Sequence, residues 1–99
     1  MTTGLNKIKI FIDGNNCSNQ KDFWNAYARQ IETDSALRFG KNLDAFNDAI
    51  TGGGPGYPGK CSIEISGIDN LILIFGKSSF QYMIYLLKDA EYIALILVN

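Results

Sequence analysis

The run Tyr92-Ile93-Ala94-Leu95-Ile96-Leu97-Val98 carries no charge, no glycine and no proline. It has the length of a strand and falls well short of the roughly 20 residues of a membrane span. A strand that is apolar at every position predicts cover on both faces. That is the environment of a central strand in a parallel sheet with helices packed on it. The rest of the chain must then supply the helices and the neighbouring strands.

Lys7 to Ile12 alternates, with Ile8, Ile10 and Ile12 on one face, and the turn residues Asp13-Gly14-Asn15-Asn16 end it as a first strand. Ser18 or Asn19 can cap a helix running to about Thr33, with Phe23, Trp24, Tyr27, Ala28 and Ile31 as its apolar face. Asp34 to Phe39 reads as a short link. Asn42 is a good N-cap for a second helix, and Gly52 a good stop. Gly52 to Gly59 is a loop by composition. Cys61, Ile63 and Ile65 then alternate with Ser62, Glu64 and Ser66 as a second strand.

Leu71 to Phe75 fits either a short strand or a buried helical turn, because a short apolar run shows no period. Ser78 with Gln81 makes a capping-box signature for a helix from Ser79 to about Asp89, with Phe80, Met83, Ile84 and Leu87 facing the core. The order strand, helix, helix, strand, helix, strand predicts an α/β fold, since parallel strands need helical crossovers. The expectation is a single domain over residues 1–99: a three-stranded parallel sheet packed by three to four helices, with room for an extra short strand near 71–75.

Several functional classes find no support. A net charge of −1 advertises no nucleic-acid or membrane affinity. The absence of histidine removes the commonest general base and metal ligand. Two cysteines, Cys17 and Cys61, allow one long-range disulfide but cannot hold zinc alone. Met1-Thr2-Thr3-Gly4 lacks the features of a signal peptide, so a cytoplasmic location with reduced thiols is expected. Gly54-Pro55-Gly56-Tyr57-Pro58-Gly59 fits G-x-G-x-x-G formally, but it follows a helix and contains two prolines that lack the N–H of a phosphate cradle. Gly76-Lys77-Ser78 ends like a P-loop, yet Leu71 stands where the first glycine is required. No cofactor and no metal is expected, and no catalytic residue is assigned.

The helix after Asn42 is the odd element. Leu43, Phe46 and Ala49/Ile50 form its buried stripe, while Asp44 and Asp48 share another face four residues apart. Like charges so placed cost a helix roughly 0.2–0.5 kcal/mol. Stability gives no reason for the pair, and a cationic partner would. A plain solvated face, or a general acid/base pair of a small hydrolase, is compatible with the same spacing.

The stretch Phe39-Gly40-Lys41-Asn42-Leu43-Asp44-Ala45-Phe46-Asn47-Asp48-Ala49-Ile50-Thr51-Gly52 resembles the signature of the barstar family, small intracellular inhibitors of barnase-type ribonucleases. The pattern is an aromatic residue and glycine, any residue, Asn-Leu-Asp-Ala, two residues, Asp, two residues, then Thr-Gly. The first strand with its Asp13-Gly14 turn and the last helix and strand are similar too, whereas Gly53 to Ser78 matches poorly.

The resemblance implies a three-stranded parallel sheet with helices and a non-enzymatic inhibitor whose carboxylates occupy the phosphate positions of a nuclease active site. Asp48 would be the anchor, with Asp44 and Asp89 in support. Phe39, Asn47 and the Gly52–Gly59 loop, with Gly52 and Gly53 at its start, would shape the contact surface. The chain departs from the pattern at Asn47 (an aromatic position), Arg38 (a tyrosine position), Lys41 (an acidic position) and Tyr85 (an acidic position). These changes imply a target other than barnase: a secreted or delivered nuclease toxin, bound as a 1:1 complex by a bacterial immunity protein. The alternative is a module of the same fold that binds a basic partner other than a nuclease.

Overall fold

A computed structural model describes residues 8–98. The expected strand start at Lys7 and the Met1–Gly4 segment lie outside the described residues. Three strands, β1 (Ile8–Asp13), β2 (Cys61–Ser66) and β3 (Ile93–Leu97), form one parallel sheet in the order β1-β2-β3. Helices α1 (Gln20–Ala28), α2 (Thr33–Arg38) and α3 (Leu43–Gly52) connect β1 to β2, and α4 (Ile68–Phe75) and α5 (Lys77–Asp89) connect β2 to β3. The α/β class and the parallel sheet are as expected, with five α-helices among the described residues instead of three or four, and a single 3-10 turn at Gly14–Asn16.

The central strand is β2, not β3. Ile10, Ile12, Ile63 and Ile65 are buried on the helix-covered face, while Ile96, Leu97 and Val98 at the sheet's edge are exposed. The opposite face carries Phe11, Glu64 and Ile96 in one row, and Phe11 is 56% exposed. The uniformly apolar character of residues 92–98 thus reflects strand propensity and not burial on both sides.

The stretch 71–75 is helical, inside α4. Leu71 and Phe75 are buried one turn apart while Leu73 is 82% exposed, which only a helix achieves. α5 begins two residues earlier than expected, at Lys77 behind Gly76, and Ser78 lies within the helix without a capping bond. α1 stops at Ala28 instead of about Thr33. Gln30 N and Ile31 N donate three residues back, to the Tyr27 and Ala28 carbonyls at 3.1 and 3.4 Å, so the helix tightens and ends. The side-chain amide of Gln30 donates to the Ala26 carbonyl at 2.9 Å. The same amide accepts from Phe11 N (3.0 Å) and donates to Phe11 O (2.8 Å), so Gln30 closes the free edge of β1 as a strand would.

The core is aromatic at its centre. Trp24 meets Phe23, Phe39 and Phe75 edge-on at centroid distances of 4.9, 5.8 and 5.7 Å, and Phe46 at 5.2 Å. Among the described residues its buried Nε1 has no acceptor. An unpaired buried donor costs about 1–3 kcal/mol.

Candidate functional site

α3 is set in place by three local devices. Asn42 Oδ1 accepts from Ala45 N at 2.7 Å and caps its start. Phe46, Ala49 and Ile50 bury its inner face. Gly53, in the left-handed conformation, donates to the Ala49 carbonyl at 3.0 Å and ends it, one residue beyond the expected stop at Gly52. The outer face carries Asp44 and Asp48, both exposed.

The two acids are unequal. Asp44 lies in the first turn, where the helix dipole favours an anion. Asp48 lies beyond it and gains nothing from either end. Among the described residues neither carboxylate accepts a hydrogen bond. Asp13 and Asp22, by contrast, hold the backbone N–H groups of Asn15 and Ser18 at 3.0 and 2.8 Å.

Beside α3, and between it and α5, runs a groove of about 530 Å³. Ile50 and Leu86 are its buried floor. Asn47 and Thr51 line it from α3, and Thr51 Oγ1 donates to the Asn47 carbonyl at 2.7 Å. Tyr85 and Asp89 line it from α5. The structure therefore brings the expected residues Asn47, Tyr85 and Asp89 together, whereas Asp44 and Asp48 are not among the lining residues. Tyr57 adds a wall from the Gly52–Gly59 loop, which was expected at the contact surface, whereas Tyr82, Ala90, Glu91 and Tyr92 were not anticipated. The tyrosines are scattered in the sequence, and no spacing signal links them.

The remaining expected residues lie elsewhere. Phe39 is buried against Trp24 and Tyr27, so it can shape a surface only through what rests on it. Arg38 is exposed at the end of α2, its Nε 3.5 Å from the Asp34 carbonyl. Lys41, with φ 56°, borders a different depression together with Arg29 and Leu37. Gly52 and Gly53 are exposed at the end of α3.

The glycine-rich loop is pinned at one point. Gly56 N donates to Ser35 Oγ of α2 at 2.7 Å, and Tyr27 Oη of α1 donates to Gly56 O at 2.6 Å. Gly56 has φ 98°, and a Cβ there would collide with the Phe39 ring.

Cys17 and Cys61 are free and buried. Burial pushes the Cys61 thiol up to about 11, and it raises Cys17 too, with the Asp22 and Asp13 charges adding to the effect. Neither is an activated nucleophile. Among the described residues no group of three or more His, Cys, Asp or Glu side chains could hold a metal, and no helix is long and apolar enough to cross a membrane.

A family model described as Barstar (barnase inhibitor) matches residues 8–94. No curated protein matches the chain.

Proposed function

The chain belongs to the barstar family, and from that premise we propose that it is a non-enzymatic inhibitor of a nuclease toxin, bound as a 1:1 complex. It would act in the manner of an immunity protein in the cytoplasm, with no cofactor. Asp48 is the anchor carboxylate. It enters the cationic active site where a substrate phosphate would sit and accepts charge-assisted hydrogen bonds from Arg and Lys. Asp44, one turn earlier, and Asp89 on α5 add to the same negative field, which also steers encounter. Asn47, Tyr85, Gly52 and Gly53 form the adjoining contact surface. Arg38 and Lys41 set its cationic border, and Phe39 supports the loop from below.

The observation that carries this reading is Asp48: an exposed carboxylate past the first turn of α3, unused by any hydrogen bond among the described residues. The altered positions Arg38, Lys41, Asn47 and Tyr85 favour a target other than barnase. A panel of nuclease toxins, including those encoded beside the gene, tests the reading. One should be inhibited stoichiometrically, and Asp48→Ala should weaken that complex by about 2 kcal/mol or more. Unchanged affinity would remove Asp48 from its role. No effect on any nuclease, with capture of another basic protein retained, would assign the chain to the interaction-module alternative.

A further inference from the structure

Five tyrosines occur in the chain, and all except the buried Tyr27 line the groove between α3 and α5. Tyr82, Tyr85 and Tyr92 are 43%, 61% and 55% exposed, unusual for large rings gathered in one place. The charged lining residues are Asp89 and Glu91, with no lysine or arginine among them. None of the four hydroxyls makes a hydrogen bond among the described residues; the tyrosine that does is Tyr27.

We propose that this groove receives an arginine side chain of the partner protein, its guanidinium stacked on the tyrosine rings and paired with Asp89 and Glu91. The proposal rests on the inhibitory reading for its partner but not on Asp48. Charge selects the occupant: a phosphate or carboxylate would be repelled, and an apolar side chain would desolvate two acids without pairing them. Ring faces attract a cation. A guanidinium is planar and weakly hydrated, so it stacks and forks to a carboxylate, whereas an ammonium stays hydrated. The volume of about 530 Å³ holds one long side chain with bridging water.

The test is a titration of the intact protein with tetra-arginine, tetra-lysine and tetra-citrulline peptides, followed by amide chemical shifts. Tetra-arginine should shift Tyr82, Tyr85, Asp89 and Glu91 saturably and bind about threefold to fivefold tighter than tetra-lysine. Tetra-citrulline should give no saturable shift. Asp89→Asn with Glu91→Gln should abolish capture, and Tyr85→Leu, which keeps both charges, should bring the arginine and lysine peptides to parity. Equal binding of the two peptides by the unaltered protein, shifts confined to Asp44 and Asp48, or indifference to both variants would overturn the proposal. Asp48→Asn should leave peptide capture intact while nuclease inhibition falls. Lost capture with an Asp48-dependent inhibitor therefore defeats the groove alone, and retained capture with no inhibited nuclease defeats the functional reading alone.

Discussion

Tyr27 Oη reaches the carbonyl of Gly56 at 2.6 Å, joining α1 to a loop 29 positions further along the chain. The bond is buried, and burial holds the phenol far above its ordinary pKa, so it remains a donor at alkaline pH. Tyr27→Phe leaves the Gly56 carbonyl without a donor. Denaturant unfolding should show a loss of about 1–3 kcal/mol with an unchanged slope against denaturant.

Gly56 and Gly53 both have positive φ, at 98° and 72°, but only Gly56 lacks room for a side chain. Gly53→Ala should cost about 1–2 kcal/mol, the conformational penalty alone. Gly56→Ala adds a clash with the Phe39 ring and should cost more. Equal melting temperatures for the two variants would mean that the Phe39 contact is relieved without cost.

Asp44 and Asp48 should separate in stability measurements as they do in position. Asp48→Asn relieves like-charge repulsion and should stabilise the fold by about 0.2–0.5 kcal/mol at low salt. Asp44→Asn relieves the same repulsion but loses a favourable first-turn charge worth about 0.3–1 kcal/mol, so it should be neutral or destabilising. Both effects should shrink as salt rises.

The buried thiol of Cys61 predicts alkaline loss of stability. Its pKa rises from an ordinary 9.0 to about 11 on folding, because burial penalises the thiolate. Between these pH values the unfolded chain has released the proton and the folded chain retains it. Stability is therefore full below pH 9.0 and falls as pH climbs toward about 11. Cys61→Ala should flatten that decline when melting temperature is followed against pH, whatever its effect at neutral pH.

The first two strands and the caps at Asn19 and Asn42 were legible because alternation and capping are local signals. α2 was not. It buries no residue, and its N-cap is Glu32, a type seldom chosen there, so Thr33–Arg38 offers neither an apolar stripe nor a standard start. α4 was ambiguous because Ile72, Leu73 and Ile74 are apolar on exposed or half-buried faces and hide its period. The misplacement of β3 came from equating an apolar run with cover on both faces. Of the candidate site, α3 and its acids were readable. Asn47, Tyr85 and Asp89 of the groove were readable too, but its full lining was not, since Tyr57 and Tyr92 join Tyr82 and Tyr85 only after α5 packs beside α3.

The anchoring of Gly56 has a consequence for recognition. A loose loop beside the acids would lose about 1–2 kcal/mol of backbone freedom for each residue stilled on capture. Here two helices hold it already, so that loss falls at folding. In the proposed complex a partner would meet a loop already ordered at Gly56, and less of the binding energy would go into stilling it.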